Sequence, residues 1–241
     1  MKAKASNGVT TYRGPSDIDG RPIMAILTGT NKPSQNRKTA DMLQLWIMPT
    51  DSKPSDAVKN GDDVSVCGPC PRRPSLAKAT GAKECYVNVG QAPNGIYGTS
   101  YPTADNLDGV RQAPVRLGAW GEPAAIPYEV NARLIGYRSK HYYHRRHTGY
   151  THRWREADPR YKQLLMASVD SPQEQAEASA KGFRTFRVRK DATVPVLPGE
   201  IICPASEEQE SILGKRRTTC DKCLLCAGTS RQAKNIVIIE H

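Results

Sequence analysis

Aromatic residues are scarce in this chain of 241 residues, which contains only two phenylalanines. Phe, Trp and Tyr together make up 6% of the sequence, and the hydrophobic fraction is 38%. So few large apolar side chains argue against a fold that is held by apolar packing alone. Turn-forming residues are abundant instead, with 18 prolines and 19 glycines. We therefore expect a loop-rich protein in which metal sites help to hold the fold together.

Long apolar segments are also missing, since no run approaches the ~20 residues that a membrane-spanning helix needs. The first residues, Met1-Lys2-Ala3-Lys4, are polar and give no sign of a secretory leader. These absences exclude a membrane partner and predict a chain in a reducing cytosol. Clustered thiols in that compartment are metal ligands more often than disulfides, and the odd total of seven cysteines agrees with this.

The charge is unbalanced, with a formal net value of +11. Such an excess favours nucleic acid or an anionic small molecule as a partner, although it is also typical of a merely well-solvated surface. Residues 137–155 interleave basic side chains with Tyr and His, so that cations can contact phosphates while rings stack on bases. The candidate contacts are Arg145, Arg146, Arg153 and Arg155. The alternative is a solvated segment with a few core aromatics.

The order of apolar and turn residues divides what we expect to be a single domain into three parts. Residues 1–63 predict an N-terminal β element, with strands at Ile23–Leu27 and Met42–Met48. Residues 64–200 predict a βα core, because strand-like and helix-like runs alternate. Residues 201–241 form a cysteine-rich C-terminal segment. The fold class that we expect is α/β, with a partial (βα) barrel or an open parallel sheet.

Further strands and helices are predicted within the core and the C-terminal segment. The strands are Val64–Val66, Val115–Ala119, Tyr150–Trp154, Leu164–Val169, Phe183–Val188, Glu200–Cys203 and Asn235–Ile239. The helices are Pro74–Gly81, Pro127–Tyr137 and Ser171–Lys181, and Gly90–Asp108 is predicted as a surface loop.

Four cysteines near the C-terminus carry the strongest signal. Cys220, Cys223 and Cys226 form a CxxCxxC run, and Cys203 precedes it. Three thiolates at this spacing can each bind a different iron of a 4Fe–4S cluster, while a more distant cysteine binds the fourth. A structural zinc site is the alternative, although zinc usually takes two separated CxxC pairs. The sequence predicts a metal site here and favours an iron–sulfur cluster.

A second group contains Cys67, Cys70 and Cys85. Gly68-Pro69 predicts a tight turn that brings the first two thiols together, and Cys85 follows after 14 residues. Three thiolates leave one coordination position for a small molecule or water, or for a fourth protein ligand such as His or Asp that closes the site. Both arrangements are consistent with the sequence.

The segment Gly121-Glu122-Pro123 follows a predicted strand downstream of the three cysteines. This combination resembles the radical S-adenosylmethionine enzymes, in which three cysteines hold a 4Fe–4S cluster whose open iron binds the methionyl group. The resemblance implies that Gly121, Glu122 and Pro123 contact S-adenosylmethionine, and it implies a partial βα barrel. The usual CxxxCxxC of that superfamily is replaced here by CxxC-x14-C. A plain turn is the alternative for this segment.

Five further segments together resemble a family of tailed-bacteriophage proteins with similar cysteine placement. They are residues 121–127, 148–152, 167–171, 182–188 and 203–206. This resemblance implies an iron–sulfur cofactor and a location in the cytoplasm of an infected bacterial host, and it implies no particular reaction.

Two more polar residues are candidates for the site. His152 faces a cluster or substrate if its strand alternates inward, and otherwise belongs to the solvated segment described above. Asp170 follows a predicted parallel strand, where sites of α/β proteins usually form, or it caps the next helix.

Three functions are consistent with these patterns. The first is an enzyme that resembles the radical S-adenosylmethionine group and carries an auxiliary cluster. The second is a non-enzymatic iron–sulfur protein with an electron-transfer or structural role. The third is a zinc-stapled protein that binds nucleic acid.

Overall fold

The computed structural model describes residues 6–33, 36–81, 83–104, 107–136, 144–215 and 217–240. Its strands are β1 (Gly8–Pro15), β2 (Pro22–Thr28), β3 (Leu43–Pro49), β4 (Val115–Trp120), β5 (His147–Thr151), β6 (Met166–Val169), β7 (Thr185–Arg189), β8 (Glu200–Ile202) and β9 (Asn235–Ile239). They form one nine-stranded sheet in the order β1-β2-β3-β4-β5-β6-β7-β9-β8. The predicted α/β class is confirmed.

The helices are mostly short and connect the strands. They are α1 (Pro54–Asn60), α2 (Val64–Cys67), α3 (Pro74–Thr80), α4 (Ala92–Tyr97), α5 (Tyr128–Leu134), α6 (Pro172–Ala180), α7 (Glu207–Leu213) and α8 (Cys220–Cys223), with 3₁₀ turns at Pro123–Ala125, Pro159–Gln163 and Gly228–Ser230. Ser171 begins α6 as its sequence predicts, since its hydroxyl accepts a hydrogen bond from the Glu174 N–H at 3.1 Å.

The first three strands form an antiparallel element. Residues Ile23–Leu27 are buried, as are most residues of β3, so both apolar runs form the strands that were predicted. The strand β1 was not predicted because its central residues are polar. Thr10 is nevertheless 1% exposed, since its backbone pairs with β2 on one side and contacts the 102–104 segment on the other.

From β3 onward every neighbouring pair of strands is parallel. The carboxyl ends of these strands therefore lie at one edge of the sheet, where loops of an α/β protein bring side chains together. Both cysteine groups lie on connections between the parallel strands. The first lies between β3 and β4, and the second lies between β8 and β9.

Three sequence predictions of local structure are wrong. Residues 64–67 form the turn α2 rather than a strand, because the Asp63 carbonyl accepts the Cys67 N–H at 2.8 Å. The predicted loop Gly90–Asp108 contains α4, which starts at a proline-bearing first turn. The strand predicted at Tyr150–Trp154 is β5, and it ends at Thr151 because the Thr151 hydroxyl accepts the Arg153 N–H.

The apolar core lies along the sheet in separate clusters. The largest involves β2, β3 and β4, while a smaller one combines Met166, Ile236 and Ile238 with Cys203 and Cys226. In the described ranges, no helix has both the length and the apolar character that crossing a membrane requires.

Candidate metal centres

The four C-terminal cysteines come from three places in the fold. Cys203 follows β8, Cys220 and Cys223 lie at the two ends of α8, and Cys226 comes three residues later. Leu224 adopts a left-handed conformation, with φ of 52°, which turns the chain back after α8. The Gly149 N–H then binds the Cys226 carbonyl at 2.9 Å and fixes the segment over β5.

All four thiols line one cavity. The space within it, including the part that is open to solvent, is about 390 Å³. Its other lining residues are mostly apolar: Lys38, Thr148, Tyr150, Phe186, Pro204, Ala205, Leu224, Leu225 and Ile236. The structure therefore brings together all four residues that the sequence assigned to this site. Cys203 and Cys226 are buried, and Cys220 and Cys223 are partly buried.

The electrostatics of this cavity disfavour bare thiolates. Burial, followed by the neighbouring Cys203, raises the pKa of Cys220 to about 11. Burial also raises the pKa of Cys226, although a hydrogen bond with the Tyr150 side chain acts in the opposite direction. A bound cation reverses this preference, because metal ligation deprotonates a thiol outright.

The guanidinium of Arg184 fixes the segment that follows the thiols. It donates to the carbonyls of Leu225 at 2.8 Å, Gly228 at 2.9 Å and Ala233 at 2.9 Å. Sequence reasoning missed this residue, since a charged residue next to a strand gives no sign of which distant carbonyls it will bind.

The three N-terminal cysteines are also brought together. The Cys70 N–H binds the Cys67 carbonyl at 3.2 Å across the turn, where Gly68 has φ of 54°. The Cys85 N–H binds the Arg72 carbonyl at 2.8 Å, which returns Cys85 to the pair after α3. Burial, followed by the charge of Cys70, raises the pKa of Cys67, and Cys85 adds to this effect.

Glu122 lies beside this group at the carboxyl end of β4. One carboxylate oxygen accepts the Ala124 N–H at 3.0 Å, and the other accepts the His152 N–H at 2.9 Å. Burial raises the pKa of Glu122, while these backbone donors lower it. Its charge in turn contributes to the raised pKa of Cys70, which reaches about 12 mainly through burial.

The neighbours of Glu122 have conformational roles. Gly121 has φ of 86°, and a Cβ atom there would lie 2.5 Å from the Ile47 carbonyl oxygen, so that only glycine fits. Pro123 begins the 3₁₀ turn that Glu122 caps. The Gly121-Glu122-Pro123 segment is thus a tight turn that also faces the three cysteines.

His152 and Asp170 lie at the same edge of the sheet. Burial lowers the pKa of His152 to about 4, although the charge of Asp170 favours its protonation. Ser171 caps α6, and Asp170 does not. The Asp170 carboxylate instead forms an ion pair with Arg72 at 2.9 Å. The ends of β4, β5 and β6 therefore place Glu122, His152 and Asp170 around the three-cysteine segment.

Most of the arginines predicted to form a basic surface instead bind other parts of the chain. Arg145 is buried and donates to the Arg111 carbonyl at 2.7 Å, and Arg153 donates to the Ala124 and Asp17 carbonyls. Arg155 stacks on Trp154 and pairs with acidic residues of α6, whereas Arg146 is exposed. The first part of this segment, residues 137–143, lies outside the described residues. The four arginines do not form one solvent-exposed patch.

In the part of the chain that the structure describes, no group of three or more His, Cys, Asp or Glu side chains could hold a metal ion as the side chains are placed. All seven cysteines are free thiols that lie in the two groups described above. Comparisons of the chain with protein-family models, with curated proteins and with solved structures gave no match.

Proposed function

We propose that this chain is an iron–sulfur protein that binds two clusters, most simply of the 4Fe–4S type. The observation that carries the proposal is the cavity at β8 and α8, which four cysteines from three places in the fold line together. Burial favours the neutral thiols while nothing is bound, and a cation that joins all four would stabilise them as thiolates.

The donor set and the spacing of its cysteines favour a cluster over a single zinc ion. Every candidate ligand is a cysteine, and thiolates are the usual ligands of iron–sulfur clusters. Cys220, Cys223 and Cys226 form a CxxCxxC run, which suits three irons of one cluster, whereas zinc usually takes two separated CxxC pairs. Because the four cysteines already surround the space, we expect binding to need rotation of their side chains rather than a new backbone path.

We further propose that the three-cysteine site holds a cluster with one open iron, as the resemblance to radical S-adenosylmethionine enzymes implies. Gly121, Glu122 and Pro123 would then contact S-adenosylmethionine. Glu122 lies near Cys70. Its carboxylate has about four lone-pair sites, and the Ala124 and His152 N–H groups and the Thr151 side chain use three of them, so one remains for the small molecule. In this proposal the parallel strands form the partial (βα) barrel, and the chain acts in the cytoplasm of an infected bacterial host.

When bound, such a cluster supplies one-electron chemistry. The residues of the chain have separate tasks around it. Glu122 would orient the amino group of the small molecule, and the partly buried His152 and Cys67 would limit the access of water. A non-enzymatic electron-transfer role is the alternative if S-adenosylmethionine does not bind.

Metal and sulfide analysis of anaerobically purified protein tests the proposal. We expect a brown protein that absorbs broadly near ~400 nm, with about eight iron atoms and about eight sulfides per chain. Replacing Cys67, Cys70 and Cys85 with alanine should remove about half of the iron, and replacing the other four should remove the other half. Each variant is thus the control for the other. Colourless protein with zinc and no sulfide would reject the proposal.

Cleavage of S-adenosylmethionine tests the enzymatic part. Reduced protein should cleave it to methionine and 5′-deoxyadenosine, and the triple alanine variant at the N-terminal site should not. The Glu122→Gln variant keeps one of the two acceptor oxygens and replaces the other with an NH2 group. A loss of binding is therefore assigned to the Glu122 carboxylate when the iron and sulfide of the variant stay at wild-type levels. Intact clusters without any binding of S-adenosylmethionine would instead favour the electron-transfer role.

A further inference from the structure

Arg116 lies between the two cysteine groups. It is the second residue of β4, and its Nη2 donates a hydrogen bond to the Tyr86 hydroxyl at 2.6 Å. Tyr86 directly follows Cys85 in the chain, so this contact attaches Arg116 to the three-cysteine site. The positive charge is also close enough to Cys85 to lower the pKa of that thiol against the larger effect of burial.

Arg116 also lies on the same face of the sheet as the four-cysteine cavity. Arg116 pairs with Thr148 in the register of β4 and β5, and both Thr148 and Tyr150 line the cavity. Tyr150 is hydrogen-bonded with the Cys226 thiol. Burial disfavours the charge of Arg116, yet its pKa is raised because Tyr86, Tyr150 and Cys220 surround it.

We propose that Arg116 joins the two cysteine sites into one electron-transfer pair, with the Tyr86 hydroxyl as its contact on one side and Thr148, its partner in β5, on the other. The inference rests on the proposed function, since it requires a cluster at each site. A low-potential one-electron donor would reduce one cluster. That cluster would then be oxidised by one electron as the other is reduced by one, and no bond or proton would be exchanged.

The physical reason is the position of a fixed cation between two anionic centres. Adding an electron makes a thiolate-bound cluster more negative, and a nearby positive charge stabilises the reduced form. Because Arg116 contacts Tyr86 beside one site and neighbours Thr148 of the other, its removal should affect both potentials. Lys38 offers a contrast, since it lines the four-cysteine cavity and its carbonyl accepts the Cys220 N–H at 2.8 Å.

A redox titration of the purified, cluster-loaded chain, followed by electron paramagnetic resonance with dithionite as the donor, tests this inference. We expect Arg116→Gln to lower the midpoint potentials of both clusters while iron and sulfide stay at wild-type levels. Lys38→Gln should lower only one potential, and the exposed Arg160→Gln should lower neither. The signals of the fully reduced wild type should be broadened by magnetic interaction between the clusters.

The results that would overturn this inference differ from those that would overturn the proposed function. If Arg116→Gln changes one potential or none, or if the reduced clusters give two unperturbed signals, the inference is overturned while the proposed function stands. Wild-type protein without iron and sulfide overturns both. Should Arg116→Gln fail to fold, Tyr86→Phe removes only the hydroxyl that holds Arg116. That variant should lower the potential of the three-cysteine cluster, and an unchanged potential would also reject the inference.

Discussion

The buried ion pair between Arg187 and Glu200 makes a sharp prediction about stability. Arg187 is fully buried in β7 and binds the two carboxylate oxygens of Glu200, at the start of β8, at 2.8 and 2.7 Å. It also donates to the Pro195 carbonyl at 2.9 Å. Arg187→Met would leave the carboxylate of Glu200 buried, with the Leu197 N–H as its remaining donor among the contacts described here.

Leaving a buried charge without its partner destabilises a protein by about 4 kcal/mol. With a urea dependence of about 2.5 kcal/mol per molar for a chain of this size, the unfolding midpoint should fall by roughly 1.5 M. The assay is urea unfolding followed by circular dichroism, under anaerobic conditions. The exposed pair of Arg155 provides the control, and Arg155→Met should change the midpoint little because solvent screens that interaction.

The double variant Arg187→Met/Glu200→Leu isolates the cause. It removes both charges and fills the space with apolar groups, so it should recover most of the stability and lie within about 2 kcal/mol of the wild type. If the double variant unfolds at the same urea concentration as Arg187→Met, the loss comes from packing and backbone contacts instead. The reasoning from a stranded charge would then be refuted.

Two further predictions concern stability. Burial lowers the pKa of His147 to about 4, and its ring contacts the Leu164 carbonyl. The unfolded chain therefore binds the proton more readily than the folded chain does. The free energy of unfolding, which is complete above pH ~6.5, should fall by about 3 kcal/mol as the pH approaches 4. Urea midpoints between these pH values should depend less on pH in His147→Gln, and equal slopes would contradict the prediction. Gly121→Ala should destabilise the protein by more than about 2 kcal/mol, because the new Cβ would meet the Ile47 carbonyl. Gly20→Ala has open space around it and should cost about 1 kcal/mol. Thermal unfolding of both variants checks this order.

Much of the fold could be predicted because its signals are local. The apolar runs of β2 and β3, the Ser171-Pro172 start of α6 and the apolar β9 are each contained within a few residues. The grouping of the cysteines also follows from their spacing. Strand β1 could not be predicted in this way, since its threonines are buried by neighbours that lie far away in the sequence.

The basic residues show where local patterns fail. Arg187 and Arg189 alternate with Phe186 and Val188 in β7, a pattern that suggests a charged face in solvent. The structure buries the arginines, because Glu200 and Glu208 reach them from later parts of the chain. Arg116 and Arg184 also bind groups that lie far away in the sequence. Arg116 contacts Tyr86 and Arg184 contacts the Leu225 carbonyl, and no sequence pattern predicts either contact.

The position of the last strand has a consequence for synthesis of the protein. Strand β9 lies between β7 and β8, and β8 pairs with β9 in the sheet. While the ribosome has yet to make residues 235–239, β8 has no place in the sheet, and Cys203 is not fixed opposite α8. The four-cysteine cavity can therefore form only after residues 235–239 have been made, whereas Cys67, Cys70 and Cys85 are synthesised well before them.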